Sequence, residues 1–186
     1  MSTAQSTAVS AATYKVDPAH SCVDFRVRHL TIANLRGEFS GVSGTILFDP
    51  RNPANSKLEA EIDAASINTR DANRDRHLKA AEFLDVEKFP KIKFVSKKVS
   101  AAGKNHWKVA GDLTIHGVTM EVTLDVEGPT AEAKDPWGNV KVGALATTKI
   151  NRKDFGLAWN VPLETGGFLL GDEVTINLEL ELTKQI

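Results

Sequence analysis

The sequence contains a single cysteine, Cys22, among its 186 residues. One cysteine cannot form an intrachain disulfide, and it cannot supply a cysteine-rich metal site. No run of about 18 apolar residues occurs, so no segment is long enough to cross a bilayer as a helix. The formal net charge of −1 gives no overall electrostatic reason to bind nucleic acid or an anionic membrane. We therefore predict no integral membrane segment and no nucleic-acid partner.

The motifs of several enzyme classes are also missing. HExxH, GxSxG, GxGxxG and Walker patterns do not occur. Cys22 falls on the polar face of its predicted strand, whereas a reactive cysteine needs an electropositive setting. His20, His29 and His116 would either form a metal or catalytic cluster or hydrogen-bond to nearby turns, and no carboxylate or cysteine stands at a recognised metal-ligand spacing. We predict no catalytic residue, no bound metal and no enzyme activity.

The first residues carry neither a basic n-region nor an apolar h-region, which predicts no secretory signal. A cytoplasmic location is expected, with a periplasmic or secreted location if the sequence has already been processed. Residues 1–13 are rich in Ser, Thr and Ala and are predicted to form a disordered tail. Residues 14–186 are then expected to form one domain.

Apolar and polar residues alternate along much of the chain, and residues 109–127 show the pattern best. Apolar side chains occupy every second position on both arms of this stretch, so each arm has one apolar and one polar face. His116 and Gly117 stand between the arms. A two-residue hairpin turn needs positive φ at its centre, which glycine adopts freely and histidine tolerates. The stretch is therefore predicted to form an antiparallel hairpin with its apolar face inward.

The same alternation elsewhere predicts an all-β fold of about eight strands with one short helix. The helix is expected at residues 71–81, with Asp71 as its N-cap. A strand is predicted at residues 37–48, but its alternation slips between Phe39 and Val42, where glycines indicate a bulge or a bend. Eight strands can close around one small ligand, although a sandwich with a filled core would show the same alternation.

The predicted helix and its start are rich in basic side chains: Arg70, Arg74, Arg76, His77 and Lys79. These side chains would either bind a phosphate-containing head group, helped by the positive end of the helix dipole, or form a solvated face.

Five stretches of the chain resemble the YceI-like family, lipocalin-like proteins that bind polyisoprenoids. They follow the family order and cover nearly all of the chain from Tyr14 onward. The stretches are YKVDPAHSCVDFRVRHL (14–30), GEFSGVSGTILFDP (37–50), DRHLKAAEFLDVEKFPKIKF (75–94), GDLTIHGVTMEVTL (111–124) and NRKDFGL (151–157).

The resemblance implies an extended eight-stranded antiparallel lipocalin-like barrel, a short helix near residues 71–81 and an elongated apolar tunnel. It implies no cofactor, but a long-chain amphiphilic lipid as partner, such as a polyisoprenoid or a quinone-like lipid, and a homodimer. Two alternatives stay open: an enzyme acting on an apolar substrate inside the barrel, using a residue such as His29, and a stress-related structural module with a filled interior.

The inward apolar residues are the predicted lipid-binding set, and three basic residues are the predicted head-group set. The lipid-binding set is Phe25, Val27, Ile62, Phe94, Leu113, Ile115, Met120, Val122, Leu124, Phe155, Trp159, Ile176 and Leu178. The head-group set is His29, Arg74 and Arg76.

Overall fold

The computed structural model describes residues 11–186, which form mostly β-strands. Most of the predicted N-terminal tail, residues 1–10, lies outside the described residues, and Ala12 and Thr13 belong to the first strand. No helix in the described range is long and apolar enough to span a membrane. The strands are β1 (Ala12–Val16), β2 (Cys22–His29), β3 (Ala33–Phe39), β4 (Val42–Phe48), β5 (Lys57–Asp63), β6 (Ile67–Asn68), β7 (Lys91–Gly103), β8 (His106–Ile115), β9 (Val118–Glu127), β10 (Ala133–Lys134), β11 (Val140–Asn151) and β12 (Leu170–Lys184). The single α-helix of the described chain is α1 (Ala72–Lys79).

The strands form one antiparallel sheet that closes on itself. β12 completes the closure, because it pairs with β11 along one edge and with β1 and then β2 along the other. Three strands of the barrel each consist of two consecutive segments, which are β1 and β2, β3 and β4, and β5 and β6. With β7, β8, β9, β11 and β12 they make eight barrel strands. The predicted eight-stranded antiparallel lipocalin-like barrel with one short helix is confirmed.

The predicted hairpin is present as β8 and β9, which pair without a register shift. His116 and Gly117 have φ values of 51° and 74°, as a two-residue turn with positive φ at both positions requires. A Cβ atom on Gly117 would lie 2.5 Å from the ring of Phe89. The turn therefore needs glycine for space as well as for its backbone conformation.

The strand predicted at residues 37–48 is two strands, β3 and β4, joined by a bend. A Cβ atom on Gly41 would lie 2.7 Å from the Cβ of Asp63, so the bend depends on a residue without a side chain. The slip in alternation marks this bend, before which the chain pairs with β2 and after which it pairs with β1. β7 contains a true irregularity, since its register shifts between Ser96 and Lys98.

Helix α1 begins and ends within the predicted range. The side chain of Asp71 accepts hydrogen bonds from the backbone N–H groups of Asn73 and Arg74, both at 3.0 Å, which confirms its role as the N-cap. Four residues of the helix, Asn73, Arg74, His77 and Leu78, face the barrel interior. Residues at this spacing share one face of a helix. Because that face is turned toward the interior, α1 lies across one end of the barrel.

Candidate functional site: an apolar cavity in the barrel

The apolar faces of the barrel strands enclose a cavity of about 600 Å³. Its lining extends from Phe48 and Trp107, at the end far from α1, to Leu78 and Trp159 beside the helix. Trp107 and Ile115 both line it from β8, which corresponds to roughly 26 Å along that strand. The interior is therefore a hollow that follows the barrel and not a core filled by its own side chains.

Ten of the thirteen predicted lipid-binding residues line this cavity. Strand periodicity correctly assigned the faces of nine of them, and Trp159 lies in the connection between β11 and β12. They are Phe25, Val27, Ile62, Phe94, Leu113, Ile115, Leu124, Trp159, Ile176 and Leu178.

Met120, Val122 and Phe155 do not line the cavity, and their prediction is corrected. β9 and β11 pair over only three residue pairs and then diverge toward the β8–β9 hairpin. The three residues are among those that line a second pocket in this gap, between β9 and β11, where Met120 is 40 % exposed. Met120 shares a strand face with Leu124, as predicted, but the neighbouring strand covers only Leu124. Side-chain parity therefore identified the face without identifying what lies opposite it.

Polar side chains line both ends of the cavity: His29, Asn73, Arg74 and His77 near α1, and Tyr14, Ser56 and Lys57 toward Phe48. Arg74 is half-buried at the α1 end, and its Nε and one Nη donate to the side-chain and backbone oxygens of Thr69, both at 2.7 Å. His29 also lines this end of the cavity. Arg76, the third predicted head-group residue, is exposed and lies outside the lining, because it falls on the outer face of the helix. The geometry keeps His29 and Arg74 as head-group candidates and removes Arg76.

Three rings pack together between α1 and the cavity. His77 contacts Phe83 and Trp159 edge-on, with ring centroids 5.0 and 4.9 Å apart, and Phe83 lies 5.2 Å from Trp159. The Nε2 atom of His77 also lies 2.8 Å from a carboxylate oxygen of Glu82. This end of the cavity therefore combines an aromatic wall with polar groups at its rim.

Arg152, which the sequence analysis did not single out, is a buried cavity-lining residue that is 4 % exposed. It begins the 3-10 helix Arg152–Phe155, in which the Asn151 side chain accepts a hydrogen bond from Lys153 N–H at 3.0 Å. Gly156 ends the helix with φ of 76°. This local turn interrupts the strand alternation, so periodicity gave no signal for the direction of the arginine side chain.

The guanidinium of Arg152 holds the connection between β11 and β12. Its Nε donates to the carbonyl of Gly171 at 2.9 Å, and Nη1 donates to the carbonyls of Leu157 and Trp159, the latter at 2.9 Å. Its Nη2 is buried and has no hydrogen-bond partner. The nearest carboxylate oxygen, Asp172 Oδ1, lies 3.6 Å away. Burial lowers the pKa of Arg152 below its usual value, and Asp172 opposes this shift.

The histidines do not converge on one metal or catalytic site. Among the described residues, one group has metal-binding geometry, formed by Asp17, His20 and Glu181. The Nζ of Lys141 lies 2.5 Å from Asp17 and 3.0 Å from Glu181, so an ammonium already occupies the position between the carboxylates. Its hydrogen bond holds the pKa of Asp17 down to about 2. The arrangement is an ion-pair network near the surface.

Cys22 shows no sign of a reactive thiolate. Its thiol is half-buried, and its pKa is raised, first by burial and then by Glu179, Asp24 and Glu38. Raising the pKa reduces the thiolate fraction, which is the nucleophilic form.

Comparisons with known proteins agree on one family. A sequence model of the YceI-like domain matches residues 14–182. A UPF0312 protein from Pseudomonas putida (strain W619) is 41 % identical over 149 residues, covering 79 % of this chain and 77 % of that protein. The crystal structure of BcnA from Burkholderia cenocepacia has a TM-score of 0.75 and 26 % identity, covering 89 % of this chain and 98 % of that one.

A polyisoprenoid-binding domain from Saccharophagus degradans also superposes on the barrel. Its TM-score is 0.66 and its identity 16 %, and the match covers 94 % of this chain and 99 % of that one. At this identity the likeness concerns the fold.

Proposed function

Because the chain belongs to the YceI-like family and its barrel encloses a long apolar cavity, we propose that the protein binds a long-chain isoprenoid or a similar amphiphilic lipid. The cavity is the observation that carries the proposal. An apolar hollow with a few polar groups is the usual form of a small-molecule site. The polyisoprenoid-binding domain noted above has the same fold, which is consistent with this reading.

The size of the cavity indicates the size of the ligand. A water molecule takes up about 30 Å³ in the liquid, and a methylene group is of similar size, so about 600 Å³ would hold roughly 20 such groups. At about 0.8 kcal/mol per buried methylene, this chain would gain about 16 kcal/mol before association costs. Those costs are roughly 4–15 kcal/mol, and a mid-range cost leaves an affinity on the order of micromolar.

The polar groups near α1 suggest the orientation of the lipid. The tail would lie along the apolar barrel toward Phe48 and Trp107, and the head would lie near His29 and Arg74. This orientation leaves hydrocarbon against hydrocarbon and places the polar head where hydrogen-bond donors stand. The reverse orientation would place the head near Tyr14, Ser56 and Lys57, which are the polar lining residues at the other end.

Binding is favoured over catalysis by the composition of the lining. Among the described residues that line the cavity there is no Asp, Glu or Cys, so a carboxylate general base or a thiol nucleophile would have to come from elsewhere. The structural-module alternative requires a filled interior, whereas this one is hollow. We infer a lipid-binding protein and propose that it carries its lipid. The homodimer and the cytoplasmic location stay predictions.

Solvent extraction of the purified protein, followed by mass spectrometry, tests the proposal. We expect a long-chain amphiphile in near-stoichiometric amount, or its uptake from a cyclodextrin complex after delipidation. Delipidated, folded protein that takes up no amphiphile of any chain length would refute the proposal.

A further inference from the structure

We propose that the α1 end of the barrel docks on the surface of an anionic lipid bilayer. The docking patch consists of three exposed apolar residues and three exposed arginines, which are Ile32, Val161, Phe168, Arg26, Arg28 and Arg36. This inference goes beyond the proposed function by naming a partner surface, and its test does not require that the cavity holds a lipid.

The apolar part of the docking patch gathers around one contact of the barrel rim. Ile32, Phe168 and Val161 are 79, 54 and 40 % exposed. The N–H of Leu30 donates to the carbonyl of Leu169 at 2.8 Å, so the tip of the β2–β3 hairpin lies against the β11–β12 connection. The N–H of Leu169 in turn donates to the carbonyl of Val161 at 2.9 Å. Single exposed apolar side chains are common, whereas a cluster of them marks an interaction surface.

The arginines lie on the outer face of the same hairpin. Arg26 and Arg28 alternate with cavity-lining residues of β2 and therefore point outward. Arg36 of β3 is exposed and stands directly opposite Arg26. Within residues 11–186, no carboxylate lies at salt-bridge distance from any of the three. Like charges opposite one another on a sheet are destabilising, and an anionic surface would relieve this repulsion.

The nearby carboxylates leave the docking patch with an excess of positive charge. Asp24 and Glu38 form the next cross-strand pair on this face, but they lie farther from the hairpin tip. Asp172 is paired with Lys153, with 2.9 Å between its Oδ2 and the Nζ. Glu164 is the one acidic residue of the segment 161–169. One carboxylate therefore stands against three arginines beside the exposed apolar side chains.

A bilayer suits this combination because apolar side chains enter the interface while basic ones bind anionic head groups. The docking patch also adjoins the cavity. His29 of β2 pairs with Leu170 of β12, and both residues line the cavity, as does Leu169. Docking would therefore bring the α1 end of the cavity to the membrane, where a lipid would be exchanged with little exposure to water.

The first test is flotation of the purified protein with two kinds of vesicle, pure phosphatidylcholine and phosphatidylcholine with about one third phosphatidylglycerol. We expect binding to the anionic vesicles, weaker binding to the neutral ones, and loss of the difference at high salt because the surface charge is screened. Equal binding to both kinds, or binding to neither, overturns the inference.

The second test removes the two parts of the docking patch separately. Ile32→Ser and Phe168→Ser should each weaken binding to the anionic vesicles about tenfold, because an apolar side chain no longer leaves water. Arg26→Gln and Arg28→Gln should each weaken it about fivefold. All four positions are exposed, so the variants should fold normally.

Trp137 supplies the matched control. It is 84 % exposed in the β10–β11 turn, at the opposite end of β11 from the connection to β12, and its N–H donates to Asp135. Trp137→Ser removes a larger exposed apolar side chain than either serine exchange in the docking patch, and it should leave vesicle binding unchanged. An equal loss in W137S, or no loss in the patch variants, overturns the inference.

Hydrogen exchange of the wild-type protein locates the contact without any substitution. Anionic vesicles should slow exchange at the β2–β3 tip and in residues 161–169, and not in the β10–β11 turn. Slowing that depends on protein concentration alone would show that a second copy covers the docking patch, which overturns the inference. Failure to dock leaves lipid binding in the cavity standing, and docking without any lipid uptake refutes the proposed function alone.

Discussion

Filling the middle of the cavity should remove long-chain binding without unfolding the barrel. Ala146 of β11 is 8 % exposed, lines the cavity, and pairs with Val126 of β9 and Leu178 of β12. Ala146→Phe would add six ring carbons there, or roughly 180 Å³ at about 30 Å³ per carbon-sized group. This is about a third of the cavity's about 600 Å³. A long chain could no longer pass this point.

The expected magnitude follows from the displaced chain. About six lost methylenes at about 0.8 kcal/mol each reduce the binding free energy by up to about 5 kcal/mol, or more than a thousandfold in affinity for the longest ligands. The folded state should change little, because burial of the new ring, about 1.5–3 kcal/mol, offsets an overpacking cost of similar size. Extraction with mass spectrometry measures the bound lipid, and thermal unfolding measures the stability.

Leu145 supplies the matched control for this experiment. It is the next residue on β11, points to the opposite face and is 50 % exposed, so Leu145→Phe adds a ring outside the barrel. We expect normal lipid content in L145F and little or only short-chain lipid in A146F. Unchanged lipid content and chain length in a folded A146F would refute the reasoning that the ligand occupies this cavity.

Two further predictions concern residues outside the cavity. Met120→Glu should keep lipid binding and change the free energy of unfolding by no more than about 0.5 kcal/mol, because the site is exposed; loss of extracted lipid in folded M120E would contradict its placement. The pKa of Asp17 is lowered to about 2, first by its hydrogen bond with Lys141 and then by that with His20. The ionised carboxylate therefore stabilises the fold above about pH 4, and this contribution is lost as the pH falls toward 2. The Asp17→Asn variant should therefore have a free energy of unfolding about 1–2 kcal/mol lower at pH 7. In urea titrations, its free energy of unfolding should fall less steeply between about pH 4 and 2 than that of the wild type. An identical pH dependence in both proteins would exclude this ion pair as a source of stability.

Much of the barrel was predictable because side-chain direction in a strand is a local property. Alternation identified the β8–β9 hairpin, the inward face of β2 and the inward face of β12. The N-cap of α1 was predictable for the same reason, since the Asp71 side chain bonds to backbone groups only two and three residues away. Irregular positions were harder to assign, because β3 and β4 share one run of residues that a bend at Gly41 divides.

The cavity residues show where local reasoning stops. Met120 and Leu124 share a face of β9, yet only Leu124 is covered, since β11 leaves β9 after three residue pairs. Arg152 lies in a 3-10 turn whose side-chain directions follow no strand period. The Nε and Nη1 atoms of Arg152 donate to the carbonyls of Leu157, Trp159 and Gly171, which the β11–β12 connection brings together.

The amino-acid sequence by itself determined which faces of the strands are apolar, where the hairpin turns, and that the chain is an all-β domain with one short helix. Only the tertiary structure decided that the apolar faces surround a hollow instead of meeting one another. The physical reason is that the pattern of each strand is written in its own residues, whereas the distance between opposite walls depends on how many strands close the barrel and how they tilt.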